Sequence, residues 1–313
     1  MTAVLALYDA YSSLILFAGV AALLGLSIYA TLMTGQLSLG NAALASIGGY
    51  AAAILTRNYH TPLLVALLSS SALAAAVAVV IGVPSLRLRG VYLAIATLAF
   101  GEVVRVVALN LKITGGALGL VGIPALATFW HVYGALLLAA FFFYRLERSR
   151  VGRAFAAIRQ DETAAQAMGI RVTYYKVLAF AIAGLLSGLA GGLSVHFTYI
   201  INPAQASFAE AVNILTYAVF GGTATFLGPI LGGIVLTVLP EALRFLREYR
   251  LMLNGAILVL VTIYLPRGIL TPFLWRWRRA RLRTRFPELR GAPRLGRRVV
   301  YRRRRRDLRA DRS

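Results

Sequence analysis

The 313-residue sequence has no cysteine and no nucleotide-binding loop, and its three histidines are scattered. The lack of cysteine excludes disulfide bonds and thiolate metal sites. His60, His131 and His196 have no carboxylate at ligand spacing, so no metal site is predicted. A phosphate-binding loop of the form GxxxxGKS or GxxxxGKT is also missing, as is any catalytic constellation. The sequence therefore predicts neither an enzyme nor a bound cofactor. If the protein's function requires ATP, another subunit must bind it.

Long apolar runs dominate the rest of the chain. Hydrophobic residues make up 59% and charged residues 14% of the sequence, and the mean hydropathy is +0.74. A soluble domain has about 25% charged residues. Apolar runs of about 17–22 residues match the length that a helix needs to cross a bilayer. We therefore predict an all-α, polytopic transmembrane protein with eight or nine spans, of which the Gly-rich second and seventh are expected to be short or broken. The nine predicted spans are 14–33, 37–55, 63–83, 91–109, 129–144, 177–197, 211–227, 228–245 and 251–265.

Basic residues in short loops predict the orientation of these spans. Arg87, Arg89, the 145–176 loop and the C-terminus together bring ten Lys and Arg residues to one side, even without the C-terminal tail. The opposite side receives five. The loop and the C-terminus are therefore predicted to be cytoplasmic, with the N-terminus outside, in a multi-pass protein of the cell (inner) membrane.

The net charge of +22 is concentrated at the C-terminus. Seventeen arginines and three acidic residues lie between Arg276 and Arg312, so that this segment carries +14 and residues 1–275 carry +8. We predict a transmembrane domain at 1–275 and an Arg-rich, disordered cytoplasmic tail at 276–313. The tail should be attracted to anionic membrane lipids. No aromatic interleaving or folded module supports nucleic-acid binding.

A long polar interruption, residues 145–176, separates the fifth and sixth predicted spans. Asp161 can cap a short helix at 162–168, and Gly169 can end it in the left-handed region. Such a helix suits docking into a groove on another protein, and a helix lying on the bilayer surface is the alternative. Helical spacing places four side chains of this loop on one face as an apolar ridge: Phe155, Ile158, Ala165 and Met168.

Three sequence blocks together resemble the permease subunit of branched-chain amino-acid ABC importers, specifically its LivM-like branch. They read GQLSLGNAALASIGGYAAAIL at 35–55, LRLRGVYLAIATLAFGEVVR at 86–105, and VGRAFAAIRQDETAAQAMGIRVTYYKVLAFAIAGLLSGLAGGL at 151–193. With smaller matches further along the chain, the resemblance covers nearly all of residues 12–270. It implies a type II-like importer permease. The partners it implies are a second permease subunit, two cytoplasmic ABC ATPase subunits that bind the ATP, and a periplasmic or lipid-anchored substrate-binding protein.

The resemblance also implies that residues 145–176 form the coupling loop. In this family a Glu-Ala-Ala-x3-Gly pattern fits a cleft on the ATPase. Here Thr163 separates Glu162 from Ala164, so that Asp161 and Glu162 are both candidates for the acidic position. The residues expected to take part in ATPase coupling are Phe155, Ile158, Asp161, Glu162, Ala164, Ala165, Met168 and Gly169.

Polar residues within the apolar body are the candidates for a translocation pathway. Gln36, Ser38 and Asn41 enter the second predicted span, and Ser207 and Asn213 lie at the seventh. Buried amides and hydroxyls cost free energy unless they are paired or face water. These residues therefore either line a pore for an amino acid or hold helices together, and the sequence favours neither interpretation.

Two further features bear on transport. Glu102 and Arg105 lie roughly 18 Å into the fourth span, which predicts an intramembrane ion pair with either a structural or a translocation role. The patterns at 36–49 and 205–222 repeat with opposite predicted orientation. This repetition suggests an inverted repeat, and chance similarity is the alternative.

The predicted function is therefore that of an inner-membrane permease for branched-chain or related amino acids, driven by ATP hydrolysis in separate subunits. Two alternatives are a permease for amides or urea in the same family and an ion-coupled secondary transporter. A third is a membrane anchor whose basic tail binds nucleic acid. The sequence has no buried acidic relay of the kind expected in proton-driven carriers, which favours the ABC type.

Overall fold

Ten α-helices make up most of the part of the chain that the computed structural model describes, which comprises residues 2–85, 88 and 90–242. Helices α1, α3, α4, α5 and α8 contain segments long and apolar enough to cross a membrane, and α9 and α10 are shorter apolar helices. The predicted all-α fold is thus confirmed. The ninth predicted span and the tail at 276–313 lie outside the described residues. In chain order the helices are α1 (Thr2–Leu32), α2 (Asn41–Tyr59), α3 (Leu63–Ser85), α4 (Val91–Asn110), α5 (Phe129–Arg148), α6 (Arg150–Gln160), α7 (Glu162–Ala167), α8 (Val172–Thr198), α9 (Phe208–Gly221) and α10 (Leu227–Ala242).

Two predicted span boundaries are wrong, and glycine in the left-handed region explains both. The second span starts at Asn41 instead of residue 37, because Gly35 has φ +77° and residues 36–39 form a non-helical connection. The seventh ends at Gly221 instead of residue 227, because Gly222 has φ +92°. With 14 residues, α9 is short, as predicted, whereas α2 is an unbroken helix of 19 residues despite its glycines.

Small residues allow α8 to lie at the centre of the bundle, in contact with α1, α2 and α3. A Cβ atom added to Gly188 of α8 would lie 2.6 Å from Cβ of Ala74 in α3. One added to Gly191 would overlap the backbone of Ala45 in α2. Such close contacts between small residues are typical of helix packing inside membranes.

The connections between helices gather at two ends of the bundle, which are joined by the full length of α8. At one end β1 (Leu120–Val121) pairs with β2 (Ile200–Ile201) in an antiparallel ladder, and we call this the β end. At the other end α6 contacts both the α1–α2 connection and the α9–α10 turn. We call this the α6 end.

Specific residues begin and end α7 at the α6 end. The carboxylate of Asp161 accepts hydrogen bonds from the amides of Thr163 (2.8 Å) and Ala164 (3.1 Å). Gly169, with φ +81°, and the amide after it donate to carbonyls of the last turn in the Schellman pattern. The predicted cap and stop of this helix are therefore confirmed.

Replacing Gly188 by valine should destabilise the bundle. The new side chain would overlap Ala74, and overpacking of this kind costs about 1–3 kcal/mol. The thermal unfolding midpoint of the detergent-purified protein should therefore fall. Gly134→Val is the matched control, because a Cβ atom on the exposed Gly134 of α5 would meet nothing within 4 Å. Equal midpoints for the two variants would contradict the packing role of Gly188.

Protonation of Asp161 should weaken the cap of α7. A hydrogen bond from the Thr163 hydroxyl, followed by those from the amides of Ala164 and Thr163, lowers the pKa of the Asp161 carboxyl below its usual 3.8. A group whose pKa is lower in the folded state stabilises that state above the usual value and loses this effect as the pH falls through the lowered pKa. Hydrogen-exchange protection of the two amides should therefore be constant near neutral pH and decrease only below pH 3.8.

Two variants test this cap. Asp161→Asn keeps an acceptor oxygen and should retain protection of these amides without the pH dependence. Asp161→Ala has no acceptor and should lose protection at every pH. Wild-type protection in Asp161→Ala would show that the carboxylate does not stabilise α7.

Candidate functional site

The apolar ridge predicted between α5 and α8 does not form an exposed surface. Phe155, Ile158 and Ala165 are 0%, 2% and 4% exposed. They turn inward because α6 and α7 are two separate helices packed against α8, where Ile158 and Ala165 contact Val172. Of the four predicted ridge residues, Met168 alone faces outward, with 83% of its surface exposed.

The outward surface of α7 carries two alanines beside the polar side chains of Thr163 and Gln166, and the long apolar side chain of Met168 follows. Ala164 and Ala167 are exposed, and a Cβ atom on Gly169 would meet nothing within 4 Å. Gln166 is the one long side chain exposed on α7 itself, and Met168 extends beyond the end of the helix. A groove on another protein could enclose this surface closely.

Both acidic residues of this segment are engaged within the chain. The ammonium group of Lys176, on α8, binds the carboxylate of Glu162, and the side chain of Lys176 is 7% exposed. A buried cation requires such a partner, so the ion pair holds α7 against the first turns of α8. Asp161 caps α7. The acidic candidates for contact with an ATPase thus also fix the position of the helix that would make the contact.

Arg159 joins α6 to the turn between α9 and α10. Its Nη1 donates to the carbonyl oxygen of Thr223 and its Nη2 to the hydroxyl of the same residue, both at 3.1 Å. Its backbone lies against the α1–α2 connection, where a Cβ atom on Gly35 would be 3.5 Å from Cα of Arg159. Arg159 of α6 therefore contacts both the α1–α2 connection and the α9–α10 turn.

Glu147, near the end of α5, binds the same turn. Its Oε1 accepts hydrogen bonds from the hydroxyl of Tyr29 in α1 (2.8 Å) and from the amide of Phe226 (2.9 Å). An ionised acceptor makes these bonds stronger than those between neutral groups. The α9–α10 turn is therefore bonded at Thr223 to α6 and at Phe226 to α5.

The chain itself encloses Gln36, Ser38 and Asn41, all of which are buried. Oε1 of Gln36 accepts a hydrogen bond from the hydroxyl of Thr34 (3.0 Å), and Nδ2 of Asn41 donates to Oγ of Ser27 in α1 (2.9 Å). Oδ1 of Asn41 is buried without a hydrogen-bond partner among the described residues. Asn41 thus joins α2 to α1, whereas the bonds of Gln36 to Thr34 and of Ser38 to the amide of Gly40 stay inside the α1–α2 connection.

Ser207 and Asn213, by contrast, are partly exposed on α9. Nδ2 of Asn213 donates to Oε2 of Glu210 at 3.3 Å, and Ser207 does not cap α9 with its side chain. Next to them, α4 approaches the start of α9, because a Cβ atom on Gly101 would be 3.4 Å from the carbonyl oxygen of Ala206. The polar groups of α9 thus remain open to a neighbouring subunit or to water.

Glu102 and Arg105 form an ion pair within α4, with Nη1 of Arg105 lying 2.9 Å from Oε2 of Glu102. The two side chains are 41% and 38% exposed, respectively. Exposed charges near the middle of a span are costly in hydrocarbon. This face of α4 therefore has to meet protein or water inside the membrane.

The tertiary partners of Leu39 and Asn41 were not predicted from the sequence. The hydroxyl of Thr97 in α4 accepts a hydrogen bond from the amide of Leu39 (2.9 Å), and Ser27 in α1 binds Asn41. The signal available in the sequence was a single hydroxyl residue within an apolar run, as at Thr97 and Ser27, which indicates a polar partner on another segment. For Arg159 and Thr223 there was no such signal, because an arginine in a basic loop is unremarkable by pattern.

Comparison with known proteins supports the resemblance seen in the motifs. The family model for the branched-chain amino acid transport system / permease component matches residues 10–262. The high-affinity branched-chain amino acid transport system permease proteins LivM of Salmonella typhimurium and Escherichia coli are each 34% identical to this chain over 282 residues. The match covers 79% of this chain and 66% of each LivM protein, so this chain spans just under two thirds of their length.

A more distant relative and a second permease type match as well. The probable branched-chain amino acid transport permease protein LivM of Methanocaldococcus jannaschii is 26% identical over 235 residues, which cover 66% of this chain and 68% of the relative. The permease protein LivH of Salmonella typhimurium is 35% identical over 147 residues, or 46% of each chain. No solved structure matches. By their names these relatives are transport permeases, and the chain belongs to the family of branched-chain amino acid transport system permease components.

Proposed function

We propose that this chain is the inner-membrane permease subunit of an ABC importer for branched-chain amino acids. Its partners would be a second permease, two ATPase subunits that hydrolyse ATP, and a substrate-binding protein. The observation that carries the proposal is α7, a short capped helix that Lys176 holds on α8 and that exposes Ala164, Ala167 and the following Met168. The printed names of the relatives support the substrate class.

We place the α6 end in the cytoplasm. Of the residues that the structure describes, two Lys or Arg residues, Arg57 and Lys112, lie towards the β end, and seven lie at the α6 end. Short cytoplasmic loops carry an excess of such residues. In this orientation α7 faces the ATPases and the β end faces the binding protein. The seven are Arg145, Arg148, Arg150, Arg153, Arg159, Arg171 and Lys176.

The amino-acid pathway would run along the surface formed by α4 and α9, against the second permease. The exposed Glu102–Arg105 pair needs a polar environment inside the membrane, which a subunit interface or a water-filled pathway supplies. Ser207 and Asn213 offer neutral hydrogen-bonding groups on the adjoining helix. Gln36, Ser38 and Asn41 would support the helices behind this surface.

The contacts of Arg159 provide a route from α7 to this pathway. Movement of α7 displaces α6, and Arg159 then pulls on the α9–α10 turn through two hydrogen bonds to Thr223. Because α9 leads from this turn towards Asn213, the displacement reaches the pathway. Coupling would therefore pass from α6 to α9 through the bonds between Arg159 and Thr223.

Docking of an ATPase on α7 is tested by replacing Ala164 with arginine. This exposed residue can accept the larger side chain without loss of folding, but the arginine would prevent close approach of a partner. Leucine uptake and co-purification of the ATPase should both fall at least about tenfold, a loss of about 1.4 kcal/mol in binding. The measurements are uptake of labelled leucine by membrane vesicles and ATPase recovery with the tagged chain.

The matched control is Ala156→Arg, because Ala156 is an exposed alanine on the neighbouring helix α6. It should keep both uptake and ATPase recovery close to wild type. If Ala164→Arg retained both, α7 would not be the docking helix. Loss of leucine uptake in the wild type without its ATPase, but not after collapse of ion gradients, would separate this proposal from an ion-coupled carrier.

Arg159 is predicted to affect coupling more than assembly. In Arg159→Gln the two bonds to Thr223 are lost, so that ATP hydrolysis by the assembled complex should continue while leucine uptake per ATP falls by about tenfold, or about 1.4 kcal/mol. Thr223→Val loses only the bond to the hydroxyl, so its uptake per ATP should fall less. Thr223→Ser keeps the hydroxyl and should behave like the wild type. Arg153→Gln is the control, since Arg153 donates only to a carbonyl of its own loop. Equal losses of hydrolysis and uptake in Arg159→Gln would contradict a coupling role.

A further inference from the structure

A groove opens on the surface of the molecule where α5 ends and α6 begins. Its volume is about 380 Å³, and its lining residues are Phe142, Arg145, Leu146, Arg148 and Ser149. Leu146 is buried, whereas Phe142 and the two arginines are exposed. The groove therefore has an apolar floor and wall with two guanidinium groups at its rim.

The local contacts keep this groove positively charged. The guanidinium carbon of Arg148 lies 4.1 Å from the centre of the Tyr144 ring, which orients the cation without neutralising it. In the described part of the chain, no carboxylate lies within 4.0 Å of Arg145 or Arg148. The adjacent acidic residue, Glu147, directs Oε1 to α1 and the α9–α10 turn.

The groove continues into an apolar surface along α5. Leu137, Leu138 and Phe141 are exposed on this helix. No Asp, Glu, Lys or Arg occurs between Phe129 and Tyr144. This surface differs from that of α4, which exposes an ion pair, and it is the surface better suited to contact with lipid chains.

We propose that the groove binds the headgroup of an anionic glycerophospholipid, one of whose acyl chains lies along the exposed face of α5. The phosphate oxygens accept hydrogen bonds from the guanidinium groups of Arg145 and Arg148, whose planar donor arrays match phosphate. Phe142 separates this polar site from the hydrocarbon chains. The lipid site depends neither on the transport substrate nor on the ATPase. Its test is therefore independent of the test of the proposed function.

Occupancy of the groove would stabilise the junction from which the docking helix extends. Ser149, which lines the groove, also caps α6 by accepting a hydrogen bond from the amide of Gly152 (3.1 Å). A bound headgroup therefore contacts the first residues of the segment that carries α7. An anionic lipid at this point restrains α6 relative to α5.

The first experiment measures the affinity of fluorescent phosphatidylglycerol for the full chain, purified with its co-purifying subunits in a neutral detergent. Arg145→Gln and Arg148→Gln should each weaken binding about fivefold, the effect of one basic residue near an anionic headgroup. Arg171→Gln removes the same charge from the α6 end away from the groove and should weaken it by no more than about twofold. Equal effects of all three would indicate a general surface-charge effect and overturn the site.

The second experiment separates a lipid from a soluble phosphate. Phosphatidylcholine with the same acyl chains should bind more weakly and respond little to Arg148→Gln. Inorganic phosphate and glycerol 1-phosphate should not displace phosphatidylglycerol at equal concentration, because they lack the acyl contact with α5. Displacement by either would show a soluble-anion site and overturn the lipid assignment.

A photoreactive benzoylphenylalanine in place of Phe142 identifies what covers the groove in membranes. It should crosslink to lipid, and Arg148→Gln should reduce the share of phosphatidylglycerol in the crosslinked product. The same probe in place of the exposed Trp130, at the opposite end of α5, should crosslink to lipid without this dependence. Crosslinking at position 142 mainly to another protein would show that a subunit occupies the groove and would overturn the proposal.

Discussion

The backbone of α8 lies against α2 and α3 only because glycine occupies the positions where the helices meet. Gly188 and Gly192 lie over α3, and Gly191 lies over α2. Inside hydrocarbon no hydrophobic force drives helices together, so close van der Waals contact between small residues has to hold them. The α6 end depends on this arrangement, because Lys176 on the second turn of α8 holds α7 through its ion pair. A displacement of α8 would displace α7, the proposed docking helix, with it.

Within the bundle, the partners of polar groups distinguish structural residues from candidates for transport. Nδ1 of His196 lies 2.6 Å from the carbonyl oxygen of Gly192, and Nε2 lies 3.1 Å from the hydroxyl of Thr56 in α2. Both ring nitrogens of His196 thus have a hydrogen-bonding partner within the chain. The Glu102–Arg105 pair is bonded yet remains exposed near the middle of a span. Its position makes sense only if protein or water covers it, which is why we assign the pathway surface to α4 and α9 and not to the buried polar residues of the α1–α2 connection.

Sequence rules were sufficient where the deciding contacts are local. The cap at Asp161, the stop at Gly169 and the ion pair of α4 each depend on residues at most five positions apart, and the sequence predicted all three. The family could be predicted for the same reason, since its motifs are contiguous. Helical spacing placed Phe155 on an apolar face, but spacing cannot tell whether such a face meets the core or a partner. The bond between Arg159 and Thr223 joins positions 64 residues apart, a distance over which no local pattern operates.

The end of α5 shows how one helical turn can serve two environments. At about 100° per residue, Arg145 and Arg148 lie within about 60° of each other, and Glu147 lies about 200° from Arg145. The helix thus directs its acidic residue to the α9–α10 turn and its two arginines to the outer surface. Because these groups share one rigid turn, a shift of α5 at the membrane surface is also a shift of the anchor that holds the α9–α10 turn. The proposed lipid site and the proposed coupling route are therefore connected through the end of α5. Different residues form them, so a substitution can remove either one and leave the other.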